Sequence, residues 1–208
     1  MPNVFVIGRP GCGKSAFFRI IEKGFREGGF KGEFKRIDDF PLLKNIFDTD
    51  TKYKRHRPCP EGGVKVTDDT VWDDLIKGLD KQALEFQGPN RLLFIEFSRD
   101  SYVRAFKNFS PAVMKDSLIV YIDASFDVCW ERNVRRVEQE RERGLDSHLV
   151  SREEMEKTYL HDDHKDLQKH VKPQIIIVKN ENADLENRKE EMGNVINKLK
   201  ELVKKIVL

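Results

Sequence analysis

Short apolar runs that stop at a glycine or an acid alternate along this chain with longer stretches in which apolar residues return every three or four positions. Val4-Phe5-Val6-Ile7, closed by Gly8, has the continuous apolar character of a strand buried on both faces. Phe17, Phe18, Ile20, Ile21 and Phe25 then fall at helical spacing between Lys14 and about Glu27, with Gly28-Gly29 as the stop. Phe34 to Ile37 is a weaker strand signal, closed by Asp38-Asp39 and Pro41. Residues 48–66, with two prolines, paired glycines and the basic cluster Lys52 to Arg57, read as a loop with room for a small hairpin. Thr67 or Asp68 caps a helix to about Gln87, striped by Val71, Leu75, Ile76, Leu79, Ala83 and Leu84. Leu92 to Ile95, ending in Glu96, and Leu118 to Ile122, ending in Asp123, are two more buried strands. A helix from about Ser125 to Arg143 leads to Gly144 and a flexible stretch through Val150. Ser151-Arg152-Glu153-Glu154 then carries the capping-box pattern of a further helix. Gln174 to Val178 is the last strand, and Met192, Val195, Ile196, Leu199, Leu202, Val203 and Ile206 stripe a terminal helix. Five strands separated by helices predict a three-layer α/β fold. Its core is one parallel five-stranded sheet with helices on both faces, in a single domain over residues 1–208.

Composition narrows the classes of function. Charged residues make up 36% of the chain, yet Lys plus Arg exceed Asp plus Glu by only two, which argues against a nucleic-acid coat. No apolar run approaches the roughly 18–20 residues that span a bilayer. The N-terminus runs straight into the first strand without a charged leader, so no signal peptide is expected. Cys12, Cys59 and Cys129 are an odd, scattered set without a CxxC pair, which suits a reducing cytoplasm. A soluble cytoplasmic protein, monomer or homodimer, is the expectation.

The chemistry begins at Gly8-Arg9-Pro10-Gly11-Cys12-Gly13-Lys14-Ser15, which matches G-x-x-x-x-G-K-[ST] between the first strand and the first helix. Glycines let successive backbone N–H groups turn inward onto phosphate oxygens, and the helix from Lys14 adds the positive end of its dipole. Lys14 is placed to reach β- and γ-phosphates and the Ser15 hydroxyl to ligate Mg²⁺. The expected nucleotide contacts are therefore Gly8 to Ser15 with Ala16. Cys12 sits near a helix N-terminus, which can lower a thiol pKa, but its position in the motif varies freely and it is given no role. Gly11 to Ala16 also spells G-x-G-x-x-A, a dinucleotide fingerprint with Asp38 or Asp39 as the ribose acid. That alternative leaves the Lys14-Ser15 pair and Gly8 without a purpose.

With this loop the chain resembles the P-loop kinase family, in particular nucleoside and nucleotide kinases. The resemblance covers roughly residues 3–40, 91–144 and 174–206, and only the glycine loop within it is highly specific. It implies ATP and Mg²⁺ as cofactors, a helical lid over 132–160 and an acceptor-binding insert over 41–90. Asp38-Asp39-Phe40 resembles the Asp-Asp-Phe setting of uridine-kinase-like enzymes, so either aspartate could take the acceptor's proton or bind the acceptor; as an ordinary turn, the run would cap the next helix. Glu96 stands at a Walker B position where Asp is commoner, which implies a role near Mg²⁺. Arg99 stands where related kinases hold an acceptor-contacting arginine. Arg132 and Arg136, four apart on one helix face, are similar to the Arg-x-x-x-Arg that enters the lid, the first stacking on adenine and the second clamping phosphates. Arg141 and Arg143 extend that series, against the plain alternative of a solvated helix of Arg-Glu pairs. Asn180 lies in the loop that meets the adenine edge in related kinases.

Arg57, with Arg55, lies where nucleotide kinases bind their acceptor, although one short basic cluster is usually surface charge. His161-Asp162-Asp163-His164 has too few convergent ligands for a metal and reads as a solvated face. A small-molecule kinase is the leading expectation, its partners ATP and a small phosphoryl acceptor. An ATPase switch and a polynucleotide kinase are the alternatives.

Overall fold

The protein, described here from a computed structural model, is defined over residues 3–60, 63–142, 149–181 and 189–207. Its core is a parallel five-stranded sheet. In chain order the strands are β1 (Asn3–Ile7), β2 (Glu33–Asp38), β5 (Arg91–Phe97), β6 (Leu118–Asp123) and β7 (Gln174–Lys179), and across the sheet they run β2-β5-β1-β6-β7. A separate antiparallel hairpin, β3 (His56–Pro58) with β4 (Val64–Val66), occupies the stretch that reads as loop.

Period-two alternation divides the apolar residues between two cores. Val4 and Val6 of β1 face one side with Leu92, Phe94, Leu118 and Val120, covered by α1 (Lys14–Glu27) and α9 (Lys189–Val207) through Phe17, Ile21, Phe25, Met192, Val195 and Leu199. Phe5 and Ile7 face the other with Leu93, Ile95, Phe97, Ile119 and Tyr121. That face is covered by Ile76, Leu79 and Ala83 of α3 (Thr70–Phe86) and by Tyr102, Ala105 and Phe106 of α4 (Tyr102–Lys107). Burial on both faces explains why the central strands are continuous apolar runs. The terminal stripe at Leu202, Val203 and Ile206 lies outside the side chains described.

The structure corrects several local expectations. Leu84 is 45% exposed rather than part of the α3 stripe, and Trp72, absent from the expected stripe, is buried instead. Helices α2 (Phe40–Thr49), α4, α5 (Pro111–Met114) and α8 (His164–Leu167) join those the spacing predicts, α6 (Phe126–Glu142) and α7 (Arg152–Tyr159). Ser151 accepts from the Glu154 amide at 3.2 Å, but the Glu154 carboxylate leaves the capping box to take the Val66 amide at 3.1 Å and the Thr158 hydroxyl. His161-Asp162-Asp163-His164 is not a solvated face. Asp163 caps α4 through the Tyr102 amide at 2.6 Å, and the Asp162 side chain is 1% exposed between Arg9, Tyr121 and His164. Burial alone would raise the Asp162 carboxyl, but hydrogen bonds from His164 and Tyr121 hold it below its ordinary value. Among the described residues no helix is long and apolar enough to cross a membrane.

Candidate active site

The site is built at the carboxyl ends of β1, β2, β5 and β7 and on the helices that face them. The loop after β1 turns through glycines at φ 139° (Gly8), 82° (Gly11) and 105° (Gly13). A Cβ on Gly8 would stand 2.6 Å from the Ile122 carbonyl oxygen, and one on Gly11 would stand 2.3 Å from that of Cys129. Both backbones are therefore pressed against neighbours that cannot yield, and only glycine fits. No acid lies in the first turn of α1, so the open N–H groups at its start can receive an anion.

The lysine is held by the loop itself. Lys14 Nζ donates to the carbonyls of Gly8 and Arg9, each at 3.0 Å, and to Ser98 Oγ at 2.8 Å, while Ser98 Oγ donates to the Gly8 carbonyl at 2.7 Å. Asn180 braces the loop from behind, its Nδ2 donating to the Cys12 carbonyl at 2.7 Å. The Arg9 side chain turns away from the loop's concave side, donating to Tyr159 O at 2.7 Å and Ala124 O at 3.1 Å beside Asp162. Cys12 is fully buried, and burial raises its thiol rather than the helix terminus lowering it.

Lys14, Ser15, Asp38, Asp39, Glu96, Arg132 and Arg136, from four separate parts of the chain, line one cleft of about 500 Å³ with Pro10, Gly11, Gly13 and Ala16. Asp38 and Glu96 are in-register neighbours on β2 and β5. Arg36 bridges them, with Nη2 3.1 Å from Asp38 Oδ2 and Nε 2.9 Å from Glu96 Oε2. Burial raises the Glu96 carboxyl above its ordinary value. Lys14 and Arg36 oppose that rise, and Asp38 and Asp39 add to it. Arg132 Nη2 donates to the carbonyls of Asn180 at 3.0 Å and Glu181 at 3.3 Å, which joins the arginine face of α6 to the loop after β7. Arg136 Nη2 donates to Asn133 Oδ1 at 3.1 Å, and Asn133 in turn holds the Val150 carbonyl at 2.9 Å.

Three arginines expected at the acceptor, Arg55, Arg57 and Arg99, lie outside the cleft lining. Arg57 pairs with Glu153 at 3.2 Å on the surface, outside the cleft lining. Arg55 pairs with Asp74 at 2.7 Å and Asp68 at 3.4 Å, so the arginines of the basic cluster are neutralised by the protein's own acids. Arg99 is 3% exposed and stands behind the cleft wall, its Nη1 2.6 Å from Asp39 Oδ2. The Arg141 side chain and residue Arg143 lie outside what is described.

Sequence reasoning missed Arg36, Trp72, Ser98 and Tyr159, all of which line the cleft. Neither Trp72 nor Tyr159 belongs to an apolar stripe that the spacing marks, and no spacing within the sequence brings them together. The hairpin packs on α7, whose Tyr159 lines the cleft. Lys65 and Arg57 meet Glu153, the Val66 amide meets Glu154, and Val64 bridges to Val150. The second half of the expected lid is thus built onto the expected acceptor insert.

The sheet order, the glycine loop and the arginine face of α6 define a P-loop kinase-like fold, and comparison with solved structures gives the same class. No protein-family model and no curated protein matches the sequence. Among solved structures, the chain is similar to Chaetomium thermophilum Kti12 in complex with ADP-AlF3, at 15% identity and TM-score 0.58 over 97% of this chain and 99% of that one. It is similar to a gluconokinase from Sinorhizobium meliloti 1021, at 14% identity and TM-score 0.55 over 100% and 98% of the two chains. It is also similar to the Mycobacterium tuberculosis APS kinase CysC in complex with AMPPNP and APS, at 12% identity and TM-score 0.52 over 98% and 97%. These likenesses establish the fold.

Proposed function

We propose that the protein is an ATP-dependent kinase that transfers the γ-phosphoryl group to a small-molecule acceptor, a nucleoside or nucleotide being the favoured class. One observation carries this reading: a single cleft joins the glycine loop, Lys14 and Ser15 to three carboxylates at the ends of β2 and β5 and to two arginines of α6. Loop amides and Lys14 bind the phosphates, and Arg132 beside the Asn180 loop faces the nucleoside end. Arg136 faces the transferring group. Ser15 and Glu96 fit a hard divalent cation, because a hydroxyl and a buried, desolvated carboxylate are oxygen donors of the kind Mg²⁺ takes. Mg²⁺ held there would neutralise charge on the phosphate oxygens. What the chain itself contributes is positioning and preorganised charge, since phosphoryl transfer asks little covalent chemistry of a protein. The AMPPNP and APS bound to the mycobacterial APS kinase, and the ADP-AlF3 bound to the Chaetomium protein, support a nucleotide in this cleft.

The test is transfer from γ-labelled ATP with Mg²⁺ to a panel of nucleosides, nucleoside monophosphates and small hydroxylated metabolites, with Lys14→Ala as control. A labelled product that requires one acceptor and vanishes in the variant is expected. Free phosphate alone, indifferent to every acceptor, would instead make the protein a nucleotide-hydrolysing switch. The neutralised basic cluster disfavours a polynucleotide acceptor, and a salt-independent KM would agree.

A further inference from the structure

We infer that Asp39, not Asp38, receives the acceptor's proton, and that Arg99 is the positioning residue that aims it. This assignment rests on the kinase reading and separates two neighbouring carboxylates that the sequence leaves equivalent.

Both aspartates line the cleft, yet their oxygens are spent differently. Asp38 Oδ1 accepts the Phe40 amide at 3.1 Å, and Oδ2 accepts Arg36 Nη2 at 3.1 Å. Asp38 is therefore committed to starting α2 and holding β2 beside Glu96. Asp39 uses only Oδ2, for Arg99 Nη1; among the described residues nothing hydrogen-bonds its Oδ1. One carboxylate has both oxygens occupied by the fold, and the other keeps one oxygen for the cleft.

Arg99 is built to hold that geometry. Its guanidinium lies 5.0 Å from the Trp72 ring centroid and 5.9 Å from that of Phe97, and Nη1 also donates to the Ser98 carbonyl. Nε and Nη2 are buried without hydrogen-bond partners, so the aromatic faces supply what compensation these nitrogens have. A planar cation held between rings has little freedom to tilt, and its one fork points at Asp39. Trp72 lines the cleft in front of the Arg99 guanidinium, which is itself 3% exposed. The acceptor hydroxyl then gives its proton to Asp39 Oδ1 while its oxygen forms the bond to the γ-phosphorus. The bond from that phosphorus to the bridging oxygen breaks, and ADP leaves with the electron pair. Arg99 touches neither reactant and acts through Asp39.

Kinetics of the full chain with the acceptor found in the panel test both parts. Asp39→Asn should lower kcat by roughly 10²- to 10⁴-fold, the usual contribution of a positioned base, with the KM for ATP within a few-fold of the parent. Asp38→Asn should lower it far less. Arg99→Gln should lower kcat but not raise the KM for ATP, and in an Asp39→Asn background it should cost nothing more, since its effect passes through that carboxylate. Arg99→Lys, which restores one donor, should recover part of the loss and serves the same cycle if Arg99→Gln does not fold, as judged by binding of a fluorescent ADP analogue. An Asp39→Asn variant as active as the parent, or an arginine effect of equal size in both backgrounds, would overturn the assignment while leaving the kinase standing. A parent protein that transfers to no acceptor would overturn the kinase and the assignment together.

Discussion

At one end of the cleft stands one run of eight consecutive residues, Gly8 to Ser15, the loop proposed to hold phosphate. At the other, Asp39 comes from the start of α2, Trp72 from α3, Arg99 from beyond β5 and Tyr159 from the end of α7. The first end works through backbone N–H groups, whose direction is set by φ and ψ over a short run. Such a site is local, and any fold that leaves a strand and enters a helix through these glycines reproduces it. The second works through side chains whose mutual placement exists only after the hairpin, α3 and α7 have packed. The long-range bonds that hold it, Arg99 to Asp39 and Glu154 to Val66, join residues 60 and 88 positions apart. On the proposed kinase reading, phosphate binding belongs to the contiguous end and acceptor choice to the assembled one, as loop variation on a shared scaffold would arrange it.

Substitutions can break that contrast or sharpen it. The largest effect is expected at the local end. Gly11→Ala places a Cβ against the Cys129 carbonyl at a φ of 82°, where an L side chain is strained. It should destabilise the protein by about 3 kcal/mol by thermal unfolding and abolish nucleotide binding by fluorescence titration. A variant that binds normally would show that the loop is not sterically determined. Next, Glu154→Ala leaves the Val66 amide and the Thr158 hydroxyl without their shared acceptor. The loss should be about 2 kcal/mol, with hydrogen-exchange protection falling at Val66 more than in β1. Uniform loss across the sheet would instead mean that hairpin and core are one cooperative unit.

Glu96→Gln should act in the opposite direction. Burial raises the Glu96 carboxyl, so its contribution to stability is full below the unfolded value of about 4.3 and is lost as pH rises through the folded one. The variant, frozen in a neutral form, should melt above the parent at pH 7 in EDTA while losing phosphoryl transfer. The difference should close near pH 4, and a parent that melts higher at pH 7 would argue that Arg36 and Lys14 outweigh desolvation. The smallest effect belongs to Arg57→Ala. Its pair with Glu153 is about half exposed at both partners, so stability should change by no more than about 0.5 kcal/mol and the acceptor KM should hold. A large rise in that KM would move the acceptor site onto the hairpin.

Much of the fold is legible because its signals are local. Val4 to Ile7 could only be a strand buried on both faces, and Lys14 to Glu27 runs to within a residue of its expected limits. The short helices α4 and α5 escaped, since one or two turns carry too little periodicity to distinguish them from loops. His161 to His164 misled for a related reason: a polar run looks solvated until Tyr121 and Arg9, 41 and 153 residues from Asp162, close over it.

The site divides along the same line. Lys14, Ser15, Glu96 and Arg132 could be named from sequence because each stands at a fixed offset from a strand end or along a helix face. Arg99 could be located but not understood: its place after β5 is local, whereas its burial against Trp72 and Phe97 is not. The sequence by itself determined the sheet, its two apolar faces and the glycine loop, because each follows from backbone geometry repeated over a few residues. Only the tertiary structure decided which aspartate keeps an oxygen for the cleft and which arginine stands behind the wall. It alone joined α7 to the hairpin. Those outcomes depend on packing between separate segments, such as Arg99 on Asp39 and Glu154 on Val66, and no local pattern encodes contacts over 60 or 88 residues.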